Sequence, residues 1–253
     1  MDISVVIPFY NEEANAAGVI DEVATVLAAT GRSFELMLVD DGSTDGTAAA
    51  LVRMAAQQPA CRILQHARRA GQAGALWSGL RAARGAIVVT LDGDGQNDPA
   101  DLPAMIACLA HADLVIGVRT SRQDSWLRRR MSRVANAVRR RFLRDGARDA
   151  GCGLRVFRRE VVASFVPIVT LYSFIPAFAS AAGHRVVEYP VAHRPRRSGS
   201  SSYGLRVMWW RPLLDMLALG WLDRRRLDPP PVRELRPAAH ERPPGSSPTD
   251  ASE

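Results

Sequence analysis

The 253-residue sequence contains no lysine: all 33 residues counted as lysine plus arginine are arginine. That absence excludes a P-loop lysine, a kinase-type strand lysine, a Schiff-base lysine and a lysine general base. A phosphate or carboxylate held by a side-chain cation must therefore be held by arginine or histidine. The guanidinium is planar, always charged and bidentate, so it suits fixed oxyanion recognition better than proton transfer. Cysteine is nearly as scarce. Cys61, Cys108 and Cys152 are odd in number and widely spaced. They fit neither a disulfide framework nor a zinc site, and they predict a reducing compartment. The opening stretch MDISVVIPFYNEE has no basic region and turns acidic at once, so no signal peptide is expected. Long apolar runs are also few. Residues 161–183 carry no charge over 23 positions, enough to cross a bilayer. Two prolines, three serines, Thr170 and Tyr172 within them argue against a span.

What is present is ordinary in bulk and uneven in arrangement. Hydrophobic residues make up 47% and charged residues 23%, as in a soluble globular protein large enough for a sizeable core. The net charge of +7 hides an asymmetry. Residues 1–118 hold 7 Arg against 14 acids, a net of −7; residues 119–228 hold 23 Arg against 8 acids, a net of +15. The remaining tail is nearly neutral. An acidic half followed by a basic half points to a polyanionic partner: nucleic acid, an anionic membrane surface or a phosphorylated ligand.

Hydrophobic periodicity predicts alternating strands and helices in the first half. Residues 3–8, 34–39, 61–65 and 86–91 read as strands; residues 12–30, 44–57 and 73–83 read as helices. Such alternation predicts an α/β fold with a mostly parallel central sheet and helices on both faces. Ligands of such sheets bind beyond the carboxyl ends of the strands. In the second half, residues 127–143 read as an Arg-rich helix and residues 185–191 as a strand. Residues 194–204 read as a Ser/Gly-rich loop. Residues 205–222 are apolar with Trp209, Trp210 and Trp221, broken by Arg206, Arg211 and Asp215. They read as an interfacial amphipathic helix, or alternatively as a helix packed on the core. The division expected is a catalytic domain over 1–204, in halves 1–118 and 119–204, then an amphipathic helix over 205–227. A Pro-rich disordered tail would occupy 228–253.

Each strand end in the first half carries polar residues: Pro8 to Glu13 after the first, Asp40 to Thr47 after the second, Asp92 to Gln96 after the fourth. Helix capping accounts for one such cluster but not for three at one sheet edge. Clustered carboxylates repel unless a cation sits among them. In Asp92-Gly-Asp94-Gly-Gln96, an extended backbone would put two carboxylates and an amide oxygen on one side. That hard oxygen set suits Mg²⁺ or Mn²⁺ completed by water and a diphosphate. A polar turn is the plainer reading, and an EF-hand is excluded because no Glu follows at the twelfth position.

VVIPFYNEE, VDDGSTDGT, the 71–79 stretch and DGDGQNDP together resemble family 2 glycosyltransferases of GT-A fold. The blocks around Asp149, Cys152 to Arg155 and Phe157 to Arg159, with Arg197, Gly199, Ser201 and Tyr203, resemble the polyprenyl-phosphate branch of that family. The resemblance covers residues 3–222. It implies transfer of a hexose from a UDP- or GDP-linked sugar to a polyprenyl phosphate, with inversion, by a protein peripheral to the cytoplasmic membrane face. It implies that Pro8, Tyr10, Glu12, Asp40 and Asp92 line the nucleotide-sugar pocket, and that Asp92, Asp94 and Gln96 hold Mg²⁺ or Mn²⁺. Arg119, Arg128, Ser132, Arg197 and Ser201 would meet the acceptor phosphate, with Asp94, Arg119 and Arg128 at the reacting centre. Ser202 stands where the branch carries a lysine, and neighbouring Arg196 or Arg197 would supply that charge.

The residues agree with that implication by a separate route. Residues 119–159 hold 14 Arg against 3 Asp, just after the acidic block. A cation plus an arginine field can bind two phosphorylated ligands, a donor and an acceptor. The rival readings are a family 2 transferase with a saccharide or other lipid acceptor, and an arginine-rich nucleic-acid-binding protein. Against the latter, only Trp126, Phe142 and Phe157 offer stacking platforms in 119–159, and the acidic block repels a phosphate backbone. Expected partners are therefore a nucleotide sugar, a polyprenyl phosphate and a membrane surface, not nucleic acid; a homo-oligomer is compatible with all of this.

Overall fold

The computed structural model describes residues 1–120, 143, 147–195, 215–218 and 220. Seven strands form one sheet in the order β3-β2-β1-β4-β6-β5-β7. These are β1 (Ile3–Phe9), β2 (Phe34–Asp40), β3 (Cys61–Gln65), β4 (Ile87–Thr90), β5 (Leu114–Arg119), β6 (Arg155–Arg158) and β7 (Val186–Val191). All neighbouring pairs are parallel except β4–β6 and β5–β6. The helices are α1 (Glu13–Ala28), α2 (Thr47–Gln57), α3 (Gln72–Ala82), α4 (Leu102–Cys108) and α5 (Leu171–Ala181), with short 3₁₀ turns at Pro99–Asp101 and Arg159–Ser164.

The sheet is buried on both faces, which is why its central strands read as continuous apolar runs. Along β1, Ile3, Val5 and Ile7 pack with Val19, Ile20, Val23 and Leu27 of α1, with Leu51 of α2 and with Leu102 and Met105 of α4. Val6, Met37 and Val39 face the other way, onto Leu76 and Leu80 of α3 and Leu171, Phe174 and Ile175 of α5. This alternation is the period-two rule of a strand, applied to two cores. Phe157 meets Phe165 edge-on at 5.5 Å in the second core. Pro8 lies past Val6, the last residue of β1 paired with β4, so its missing N–H costs no ladder bond to that neighbour.

Two registers place the chemistry. Phe9, Asp40 and Gln65 stand side by side at the carboxyl ends of β1, β2 and β3. Because β6 runs antiparallel, its first residue, Arg155, pairs with Thr90 at the carboxyl end of β4. One edge therefore collects the ends of six parallel strands and the beginning of the reversed one.

The mostly parallel α/β sheet expected from the pattern is present, and the expected strands and helices of the first half lie within a few residues of their predicted bounds. The strands β5 and β6 and the helices α4 and α5 were not assigned from the pattern. The uncharged stretch 161–183 is split between a 3₁₀ turn, a loop and the 11-residue α5. No helix among the described residues is long and apolar enough to cross a membrane. The Arg-rich helix expected over 127–143 and the tail over 228–253 lie outside the described residues, Leu143 excepted. Of the expected amphipathic helix, residues 215–218 are helical; Met216 is buried in the second core and Leu217 is 46% exposed. Thr170 Oγ1 donates to Asp215 Oδ2 at 2.6 Å, so this turn packs on the start of α5.

Gly79 on α3 shows how closely helix and sheet approach. A Cβ there would overlap Val6 Cγ1 and lie 3.1 Å from Val39 Cγ2. Alanine would gain about 1 kcal/mol of helix propensity, but overpacking costs about 1–3 kcal/mol. Gly79→Ala is expected to lower unfolding free energy by about 1 kcal/mol, net of these. Urea denaturation measures it, and an unchanged or raised midpoint would show that the contact relaxes freely.

Candidate active site at the carboxyl edge of the sheet

The loops after β1 and β2 are stitched into one rim. Asn11, at a φ of +53°, donates its backbone N–H to Ser43 Oγ at 3.0 Å, and its side-chain oxygen accepts from Thr44 N–H at 2.8 Å. Glu12 N–H donates to Thr47 Oγ1 at 2.9 Å, and Glu13 Oε2 accepts from Gly46 N–H at 3.1 Å. Asp40 is fully buried, with one oxygen accepting from Ser43 N–H at 3.0 Å and the other from Gln65 Nε2 at 2.9 Å. It therefore shapes the turn from beneath. Asp41 ties in the loop after β3. Its oxygens accept from Ala70 N–H at 2.7 Å and Gly71 N–H at 2.8 Å, and Oδ1 lies 2.8 Å from His66 Nδ1. His66 Nε2 reaches Ser78 Oγ on α3 at 2.9 Å.

The floor follows β4. Residues 92–96 form a turn rather than an extended run, with Gly95 at a φ of +74°. Burial first and the neighbouring Asp94 carboxylate second push the Asp92 carboxyl up to about 6. Arg155, a hydrogen bond from Gln72 Nε2 at 2.9 Å, and Arg119 act in the opposite sense. Gly153 makes room for this carboxylate: a Cβ there would overlap the Asp92 oxygens. Gln96 is turned to structural use. Its backbone N–H donates to Asp94 Oδ1 at 3.1 Å and its Nε2 to the Arg194 carbonyl at 3.4 Å, so only its amide oxygen could serve a cation.

Arg155 is buried beneath Asp92, and a proline helps to hold it there. Pro176 lies inside α5 and has no N–H to offer the carbonyl four residues earlier, that of Tyr172. That carbonyl accepts from Arg155 Nη2 at 2.6 Å, and the Ala150 carbonyl accepts from the same nitrogen at 2.9 Å. A small pocket between these parts is lined by Pro8, Gln72, Asp92, Gly153, Arg155 and Tyr172. Arg119, at the end of β5, is held bidentately by Asp149, Nε to Oδ2 and Nη2 to Oδ1 at 2.8 Å each. Its charge is thus shared with a carboxylate in a two-pronged contact.

After β7 the chain returns to this floor. His193 bridges Asn97, and Arg194 N–H donates to the Gln96 carbonyl at 2.8 Å. The Arg194 guanidinium pairs with Asp98 at 2.8 Å and Glu22 at 2.7 Å. The loop expected to carry Arg197 and Ser201 therefore starts beside the 92–98 turn. Arg128, Ser132, Arg197 and Ser201 themselves lie outside the described residues. Of the remaining expected residues, Pro8, Tyr10, Asp92, Asp94 and Gln96 share this edge. Glu12 stands on the rim, where Oε2 accepts from Asn15 Nδ2 at 2.5 Å. The reading missed Asp41, Gln72, Asp149 and Arg155. Only Arg155, inside a motif and separated from Arg158 and Arg159 by an apolar pair, carried a visible signal for burial.

The donor set fits a hard divalent cation: two half-buried carboxylates on one turn, with the carboxyl of Asp92 pushed up by its burial first and by Asp94 second. Among the described residues no group of three or more His, Cys, Asp or Glu could hold a metal alone. A cation here would need oxygens from a ligand and from water, as a Mg²⁺ or Mn²⁺ site built on few carboxylates does.

Comparison with known proteins places this geometry. The sequence profile of glycosyl transferase family 2 matches residues 4–165. The chain is 37% identical over 206 residues to the undecaprenyl-phosphate 4-deoxy-4-formamido-L-arabinose transferase of Edwardsiella ictaluri, covering 80% of this chain and 63% of that protein. It is 33% identical over 235 residues to the dodecaprenyl-phosphate galacturonate synthase of Rhizobium johnstonii, covering 90% and 69%. Among solved structures, glucosyl-3-phosphoglycerate synthase of Mycobacterium tuberculosis, in complex with Mn²⁺, UDP-glucose and phosphoglyceric acid, superposes with a TM-score of 0.66. The identity is 22%, covering 87% of this chain and 80% of that one, a likeness of fold.

The raised Asp92 carboxyl has a signed consequence. A carboxyl whose folded value exceeds its unfolded one stabilises the fold below pH 3.8, and this contribution is lost as pH rises through about 6. Metal-free wild type should therefore lose stability relative to Asp92→Asn between pH 4 and pH 7. Mn²⁺ should raise the wild-type melting temperature more at pH 7.5 than at pH 5, and leave Asp92→Asn nearly unmoved. Equal metal shifts at both pH values would remove Asp92 from the ligand set.

Proposed function

The chain belongs to glycosyl transferase family 2, and we propose that it moves a hexose from a UDP- or GDP-linked sugar to a polyprenyl phosphate with inversion. The observation that carries this reading is the carboxylate floor of Asp92 and Asp94 at the end of β4, with Arg155 beneath it and the 194–195 segment returning beside it. The relatives named above act on undecaprenyl and dodecaprenyl phosphates, which supports the acceptor class.

Asp92 and Asp94 would hold a divalent cation, Mg²⁺ or Mn²⁺, against the donor diphosphate; the cation supplies positive charge where the leaving group gains negative charge. The neighbour crystallised with Mn²⁺ and UDP-glucose supports a metal of this class. Gln72 and Asn97 orient the Asp92 segment, Nε2 of the first on the carboxylate and Oδ1 of the second on the backbone N–H. Pro8 and Tyr10 would form the wall for the nucleoside, on a rim that Asp40, Asp41 and Glu12 keep in shape. In the transfer, an acceptor phosphate oxygen bonds to the anomeric carbon as its bond to the diphosphate oxygen breaks. The nucleoside diphosphate leaves with the bonding pair. A lipid phosphate is already anionic at neutral pH, so the attack needs no protein base to remove a proton. Arg128, Ser132, Arg197 and Ser201 are the proposed holders of that phosphate, the guanidiniums offering bidentate contacts where no lysine exists.

Residues 205–227 are proposed to rest on the membrane surface, with Trp209, Trp210 and Trp221 at headgroup depth. Met216 packs inward and Leu217 faces outward, so the segment can serve both the core and an interface.

Asp94→Ala is expected to reduce transfer at least 100-fold with the melting temperature little changed, in a screen of UDP- and GDP-sugars against a short polyprenyl phosphate with Mn²⁺. Undiminished turnover would sink the metal assignment. Trp209→Ser with Trp210→Ser should release the protein from anionic liposomes in a sedimentation assay; full retention would refute the interfacial role.

A further inference from the structure

The loop between β3 and α3 carries two adjacent arginines, Arg68 and Arg69, to which the reading above gives no task. Its backbone is placed by buried contacts. Asp41 accepts from Ala70 and Gly71 N–H, at 2.7 and 2.8 Å, and holds His66 at 2.8 Å. Gly42, at a φ of +69°, packs so closely that a Cβ there would lie 2.8 Å from the Arg68 carbonyl carbon and 2.9 Å from Arg69 N. Only glycine suits that approach. The Arg69 side chain is exposed, and its guanidinium carbon lies 4.0 Å over the centroid of the Tyr10 ring. That is a close cation–π contact.

The charges at this edge single the pair out. A donor diphosphate arriving here meets the carboxylates of Asp92 and Asp94 and those of the rim. Arg119 is committed to Asp149, Arg194 to Glu22 and Asp98, and Arg155 faces Asp92 from below. Among the described residues, neither Arg68 nor Arg69 makes a salt bridge. A planar cation on an aromatic face, uncommitted to any described carboxylate and carried by a fixed backbone, is suited to an anionic ligand with an aromatic ring.

We propose that Arg69 is a donor-binding residue that sandwiches the base of a nucleoside diphosphate against Tyr10. The inference rests on the nucleotide-sugar reading of this same edge and names the residue that closes it. At 4.0 Å the ring and guanidinium are in direct contact, so the base enters only when the side chain lifts. The Tyr10–Arg69 contact is then exchanged for base–Tyr10 and base–Arg69 contacts. The backbone need not move, because Asp41 and Gly42 hold it. Arginine has both properties the exchange requires: a flat face that stacks and a permanent charge beside the diphosphate.

The test is calorimetric titration of the full chain with UDP and with GDP, with Mn²⁺ present, so that no turnover is needed. Arg69→Ala should raise the Kd of the preferred nucleotide about tenfold, in line with base-stacking contributions, with the melting temperature unchanged. Arg69→Lys, which keeps charge without the flat face, should recover only part of the loss. Tyr10→Leu should weaken binding similarly, and the double variant should cost less than the two single losses combined. An unchanged or tighter Kd for Arg69→Ala overturns the proposal while leaving the transferase reading intact. If the wild type binds neither nucleotide, the nucleotide-sugar reading itself falls, and this inference with it.

Discussion

A half-buried carboxylate at the end of β4 is the constraint around which the rest is arranged. Isolated, a charge there would be untenable, and Asp92 answers with a carboxyl pushed up to about 6. Its surroundings are built to keep it usable. Gly153 leaves the volume, Gln72 donates, and Arg155 supplies a positive charge from below. Arg155 reaches its place because β6 runs against its neighbours and starts where β4 ends. Pro176, which looks like a helix breaker in the sequence, leaves a carbonyl free for it. The anionic floor thus depends on a strand, a proline and a glycine that lie more than 60 residues downstream.

The first half was legible because its elements obey simple periods. Strands buried on both faces read as apolar runs, and polar residues at their ends marked one edge. The 92–96 segment was legible in chemistry but not in shape. Two glycines let it turn, so the alternation of an extended chain did not apply. The second half was harder for a physical reason. β6 is four residues long, and its start is a fully buried arginine, the residue type least expected inside a sheet. α5 hides in an uncharged stretch with an internal proline, where no periodicity separates a strand from a helix. Asp40 and Arg119 show what a motif does not tell about local partners. Both belong to the edge, yet one is sealed under a turn and the other clasped by Asp149.

The exclusive use of arginine takes on a structural meaning. Lysine offers a mobile point charge, whereas three guanidiniums at this edge have oriented tasks. Arg119 makes a two-pronged contact with a carboxylate, Arg194 joins two acids from different elements, and Arg155 donates to two carbonyls. These are contacts that a single ammonium could not reproduce with the same geometry. Cys61 and Cys152, by contrast, are chemically quiet: burial pushes both thiols up to about 11, far from the thiolate form.

The place of β6 between β4 and β5 also bears on how the molecule can be divided. A chain ending at residue 118 would contain every acidic motif of the first half and still leave β4 and β5 with raw hydrogen-bonding edges facing each other across the space of a missing strand. Exposed edges of that kind invite pairing with other chains. The half with the acidic motifs therefore cannot be inherited, exchanged or trimmed as a module. The same few residues of β6 that supply the counter-charge also weld the two halves into one sheet.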